Sequence, residues 1–164
     1  MQLVLMYFDT VIGPEIFFSY PDSVLERVSK KMEGFFDLDI KDNFFEVSLI
    51  EENIKITNLY FEIPSSWARG KVEMLMLSTI SGKDYRSELS YKVLKNYSFK
   101  IMSLVNIYKA FYTGLFINKN DHEIDLKKEE LETLLIECYN HLEEKLKSEI
   151  GDEKIIKKFK KFKW

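Results

Sequence analysis

The most reactive pairing of residue types in the chain is Cys138 with His141, a thiol and an imidazole three positions apart. On a helix that spacing brings side chains together, so the imidazole could accept the thiol proton and leave a nucleophilic thiolate. Catalysis would also need an orienting third group and an accessible cleft. Cys138 instead falls in the series Leu131, Leu134, Leu135, Cys138, Leu142 and Leu146, an apolar stripe at helical spacing. A buried, inert thiol is the expectation.

Other chemistry is as thinly supplied. His122 and His141 lie in different elements with one cysteine to share, whereas structural zinc takes about four ligands. Gly34, Gly70, Gly82, Gly114 and Gly151 are isolated, and neither GxxxxGK[ST] nor GxGxxG occurs. The carboxylate pairs Glu51/Glu52 and Glu129/Glu130 fit a turn and a solvated helix face. Asn96-Tyr97-Ser98 matches a glycosylation acceptor but falls inside a helical pattern. The expectation is a protein that is not an enzyme and that binds no cofactor and no metal.

The strongest chemical signal is at the end of the chain. Lys154, Lys157, Lys158, Lys160, Lys161 and Lys163 are interleaved with Ile155, Phe159 and Phe162 at i, i+4, i+7, and Trp164 follows. That pattern suits an interfacial helix, its apolar face among lipid headgroups and its lysines on anionic lipid. A solvated lysine tail, or one folded back on the acidic body, fits the same residues. The membrane-binding candidates are Lys154, Lys157, Lys158, Phe159, Lys160, Lys161, Phe162, Lys163 and Trp164.

The chain has 164 residues, 46% hydrophobic, 15% aromatic and 31% charged, with a net charge of −3. This composition excludes disorder as the dominant state. Without the six tail lysines, 18 basic residues face 27 acidic ones, a net −9. So acidic a body argues against nucleic acid as a partner. One cysteine fits a reducing compartment. No run approaches the ~20 apolar residues of a membrane span, and the opening run lacks a basic leader. A cytoplasmic protein, peripheral on membranes at most, is expected.

The elements that must position these residues read as follows. Residues 3–8 form a continuous apolar run, a strand buried on both faces. Gly13-Pro14 marks a turn, and 16–20 a second strand. Ser23 and Glu26 have capping-box spacing for a helix over 22–36 that carries Val28, Met32 and Phe35. Phe45, Val47 and Leu49 alternate with Glu46 and Ser48, as in a strand wet on one face. Residues 54–63 form a fourth strand whose apolar parity shifts near Asn58, read as a bulge. Residues 72–80 are apolar on both parities. From Ser87 the period becomes 3.6, predicting a helix over 87–113 stopped by Gly114. After a linker over 115–125, a third helix runs to about 149, stopped by Gly151. Met74, Met76, Phe99, Met102, Tyr108 and Phe111 are assigned to the core by these periods.

The order β-β-α-β-β-β-α-α gives an α+β fold. Two doubly apolar strands belong at the centre of a sheet and the alternating one at an edge, which a five-stranded antiparallel sheet in the order 2-1-5-4-3 satisfies. One helix then lies on one face and two on the other. Residues 1–150 form the domain and 151–164 a basic amphipathic tail.

This order resembles the longin domain, the profilin-like module of vesicle-trafficking proteins related to roadblock domains. The resemblance is carried over 1–150 by Phe8-Asp9-Thr10, Ile12-Gly13-Pro14, Phe17 and Tyr20-Pro21, and by Ala68-Arg69-Gly70-Lys71 leading into 72–80. The coiled-coil motif and membrane anchor of longin SNAREs are not found downstream, which sets a SNARE role aside. The resemblance implies an adaptor or regulatory subunit for Ras-like GTPases or trafficking machinery. Its partner would be a small GTPase or another longin or roadblock domain, in a homodimer or heterodimer. Independently of the resemblance, apolar residues beyond the needs of the core would mark a partner surface, and the candidates are helix one with Val28, Met32 and Phe35 or the edge strand with Phe45, Val47 and Leu49, whose unpaired backbone groups could extend a sheet. A structural subunit of a longin/roadblock oligomer, and a small enzyme with an unrecognised site, are the alternatives.

Overall fold

The computed structural model describes residues 1–38, 43–112 and 122–160, with side chains described over 1–38, 43–112 and 123–148. Five strands, β1 (Gln2–Asp9), β2 (Gly13–Tyr20), β3 (Phe44–Leu49), β4 (Ile54–Pro64) and β5 (Val72–Gly82), form one antiparallel sheet in the order 2-1-5-4-3. Helix α1 (Glu26–Glu33) covers one face; α2 (Glu88–Ser103) and α3 (His122–Lys160) cover the other. The α+β class, strand order and helix distribution are those expected. β1 and β5 lie side by side at the centre, and their even and odd residues enter different cores. Leu3, Leu5, Leu75 and Leu77 face α2 and α3, while Val4, Met6, Met76 and Ile80 face α1. That double burial is why both strands read as unbroken apolar runs.

Local chemistry corrects several boundaries. The capping box does not form: α1 starts at Glu26, with Leu25 as an N-cap that makes no side-chain bond. Gln2 Nε2 donates to the carbonyls of Asp22 and Ser23 at 2.9 and 3.2 Å, which ties the preceding segment to β1. The β1–β2 turn precedes Gly13: Asp9 Oδ1 accepts the N–H groups of Val11 and Ile12, and Gly13 takes φ +101° at the start of β2. No bulge lies at Asn58, where β4 keeps one register with both neighbours. The sheet's irregularity is in β2, where Leu5 faces Phe18 and Met6 faces Ile16, leaving Phe17 as the extra residue.

Helix α2 ends ten residues short of the expected 113. Leu104 is extended (φ −73°, ψ 126°) and Asn106 left-handed (φ 57°), after which Ile107–Tyr112 forms a 3-10 turn. The break turns the chain so that Phe111 reaches the rings of Tyr7 and Phe17 at 5.1 and 5.0 Å. Gly114 lies outside the described residues. Helix α3 begins at His122, inside the expected linker, with Glu123 and Asp125 in its first turn, where acids oppose the helix dipole. It continues through Gly151 to Lys160, past the end expected at about 149. A single glycine costs a helix only about 1 kcal/mol.

Candidate interaction surface

Cys138 is fully buried on the inward stripe of α3, and burial pushes its thiol well above the ordinary thiol range, away from the thiolate that nucleophilic chemistry needs. His141 stacks edge-on with Tyr97 at 6.0 Å. Among the described residues no group of three His, Cys, Asp or Glu side chains could hold a metal ion.

Val28, Met32 and Phe35 are 3%, 0% and 6% exposed. They pack on Val4, Met6 and Met76, so the apolar stripe of α1 belongs to the core, and its outer face is Arg27, Lys30, Lys31 and Glu33. Lys31 donates to Glu52 at 2.8 Å and fastens α1 to the β3–β4 turn. The Lys31 bond is the main reason the Glu52 carboxyl sits below its usual range.

The edge strand is differently placed. Phe45, Val47 and Leu49 are half-buried against the α1 core, while Glu46 and Ser48 are exposed. Tyr60 donates its N–H to the Asn43 carbonyl at 2.6 Å, which sets the phase of the ladder. By alternation, Phe44, Glu46 and Ser48 turn their N–H and C=O groups away from β4, toward the open side. That row is a template for another strand.

A second feature not legible as such in the sequence is the outer end of β4. β4 has eleven residues and β3 six. The pairing ends at Phe44 opposite Leu59, and the bond to Asn43 adds one further position. Beyond it, the N–H and C=O of Glu62 and the carbonyl of Pro64 point outward by the same alternation, and no described residue bonds to them; residues 39–42, which precede Asn43 in the chain, lie outside the described residues. Beside this edge, α2 leaves a groove of about 580 Å³ lined by Phe61, Lys95, Phe99 and Met102. A second hollow of about 410 Å³ continues past Met102 to Ile63, Pro64 and Lys71. Phe99, assigned to the core, is 56% exposed on the groove wall. Its spacing gave the signal: it falls between Tyr97 and Ile101, off the stripe both occupy. Tyr60 hydroxyl donates to Glu62 Oε1 at 2.7 Å, and burial together with that carboxylate pushes the phenol pKa well up.

Two further clusters are structural in their connections. Tyr97 and Lys100 of α2 both donate to Glu137 Oε1 of α3 at 2.9 Å, clamping the two helices. Trp67 packs between Tyr108 and Tyr112 with Lys109 Nζ over its ring at 5.2 Å, and Tyr112 donates to buried Glu73 at 2.8 Å. Burial and that bond raise the Tyr112 pKa to about 12.

The side chains of Lys154, Lys157, Lys158, Phe159 and Lys160, and all of Lys161, Phe162, Lys163 and Trp164, lie outside the described residues. Among the described residues no helix is long and apolar enough to cross a membrane. No family model matches the sequence, and no curated protein matches it.

Proposed function

We propose that this chain is a non-enzymatic, longin-like interaction module, an adaptor or regulatory subunit that binds a Ras-like GTPase or another longin or roadblock domain. The observation that carries the reading is β3, an edge strand whose outward backbone row pairs with no described residue, presented by a sheet of order 2-1-5-4-3. The lysine-rich end of α3 adds peripheral contact with anionic membrane, a role supported by its spacing and by a helical backbone that reaches Lys160.

The test is binding of purified Ras-like GTPases and of longin and roadblock proteins from the source organism, by calorimetry, to the chain and to Ser48→Pro. Proline there removes an outward N–H while every bond to β4 survives. Saturable binding lost in Ser48→Pro supports the reading; no binding, or binding indifferent to the substitution, overturns it. For the tail, co-sedimentation with anionic vesicles should be lost when residues 154–164 are deleted.

A further inference from the structure

We propose that the outer surface of the α2–α3 layer binds a second copy of this chain, each α2 lying over the partner's α3 about a two-fold axis that runs between the two helices. The inference deepens the interaction-module reading by naming one partner and a surface other than β3, and it rests on that reading.

Helical spacing divides each helix into an inward and an outward stripe. Val93, Leu94, Tyr97 and Ile101 turn α2 toward the core, which leaves Lys92, Lys95 and Phe99 exposed. On α3 the inward stripe is Leu131, Leu135, Cys138 and Leu142, and Glu130, Ile136 and Glu144 are exposed. One helix therefore presents lysines and its neighbour carboxylates. Neither Lys92 nor Glu144 has an ion-pair partner among the described residues, and Lys95 Nζ lies 5.8 Å over the Tyr91 ring. Phe99 is 56% exposed and Ile136 40%, so the same surface holds apolar area still to be covered. Because α3 is one helix to Lys160, the chain up to that point follows its axis and does not turn back over α2.

A surface basic along one helix and acidic along the next is self-complementary under a two-fold rotation. With the axis between the helices and parallel to them, each basic stripe meets the partner's acidic one. Stacking α2 on α2 would instead set lysine against lysine. The levels also match. Tyr97 packs on His141, Lys100 bonds Glu137 and Lys109 bonds Glu123, so the two helical segments run antiparallel. Continuing that pairing puts Phe99 level with Ile136 and Lys92 level with the turn that carries Glu144. Since this axis keeps levels unchanged, Phe99 meets the partner's Ile136, and Lys92 the partner's Glu144. Lys147, in the next turn, is occupied by Glu143 at 4.0 Å. The 16 residues of α2 span about 24 Å, and two helices side by side about 20 Å. That footprint is at the small end of specific interfaces and suits a dimer of micromolar affinity.

The experiment is sedimentation velocity of the full chain from about 1 to about 500 µM, where a reversible monomer–dimer equilibrium is expected. Lys92→Glu and Glu144→Lys each set like charges opposite one another twice per dimer, and each should weaken dimerisation roughly tenfold. An equimolar mixture of the two variants should recover the parent affinity, because both contacts of the mixed pair are again of opposite sign. Phe99→Asp should abolish the dimer, and circular dichroism checks that each variant remains folded. A chain that stays monomeric at about 500 µM, or a mixture that associates no better than either variant alone, overturns the proposal. Ser48→Pro should leave the dimer intact; its loss there would place the contact on β3 and overturn the assignment to the helix layer. If GTPases or longin proteins bind at β3 while the chain stays monomeric, this inference alone fails and the module reading stands.

Discussion

The two faces of the sheet are covered in different ways. On one, the eight residues of α1 reach only about 12 Å, and bury Val4, Met6, Met76 and Ile80 at one end of the strands. On the other, α2 and α3 lie over Leu3, Leu5, Leu59, Phe61, Ile63, Leu75 and Leu77, and are clamped to each other through Glu137. A short helix has no apolar residue to spare: its whole stripe is turned inward. On the two-helix side α2 borders the outer end of β4, and Phe99 stays mostly in water on the groove wall. Among the described residues, outward backbone groups therefore lie on the β3 row, and the apolar stripe of α1 is spent on the core.

The contrast should be clearest in core truncations. Leu94 on α2 and Met32 on α1 are both fully buried. Leu94→Ala, in a layer pinned from two helices, is expected to cost about 4 kcal/mol, near the upper part of the range for such changes. Met32→Ala should cost about 2 kcal/mol, because a two-turn helix can settle into the space. Urea unfolding of each variant measures both. Equal losses would mean that the α1 layer is as stiff as the other, and the comparison would break.

A finer contrast lies in two adjacent residues of β5. Ser78 faces α1 and donates to the Asn58 amide oxygen at 2.7 Å; Thr79 faces α2, opposite Thr57, and neither threonine hydroxyl has a hydrogen-bond partner among the described residues. Ser78→Ala strands the Asn58 carbonyl and should cost about 1–3 kcal/mol. Thr79→Val keeps the shape and removes an unbonded hydroxyl, and should stabilise by about 1 kcal/mol. Opposite signs at neighbouring positions would confirm that the faces differ in polar satisfaction as well as in coverage; like signs would refute it.

The same asymmetry explains which features could be read from the residues alone. β1 and β5 are covered on both faces along their length, so their apolar runs pointed to the sheet centre without ambiguity. The parity shift in β4 was a true signal with a different cause. Ile54 and Ile56 face α1, while Leu59, Phe61 and Ile63 face α2 and α3, so the strand changes its covered side without changing register. Periodicity reports burial, and burial depends on where a neighbouring helix stops. The break after Ser103 was hidden for a related reason: Ile107, Tyr108 and Phe111 are buried on both readings, and only the backbone at Leu104 and Asn106 distinguishes a turn from a longer helix. The β4 groove needed strand lengths as well as patterns. Six residues in β3 against eleven in β4 is a mismatch that no single segment announces.

The smallest expected effect concerns the clamp that makes the two-helix layer one unit. Lys100, followed by Tyr97, holds the Glu137 carboxyl below its ordinary value by hydrogen bonding. The same bond to Glu137 raises Lys100, and burial followed by that carboxylate raises Tyr97. A lowered acid gives stability that is complete above its unfolded pKa, about 4.3, and disappears as pH falls through the lower folded value. The raised groups act on the other limb: their contribution is complete below about pH 10 and is lost as pH rises through their raised values. Glu137→Gln should therefore lower the urea midpoint slightly and evenly between about pH 6 and 8, by less than any core substitution, since the carboxylate is solvent-exposed. The gap from the parent protein should close toward pH 3 and narrow again at strongly alkaline pH. A gap that persists in acid would show that the introduced amide disturbs the packing of α2 on α3 rather than removing a charge, and the clamp would then be steric.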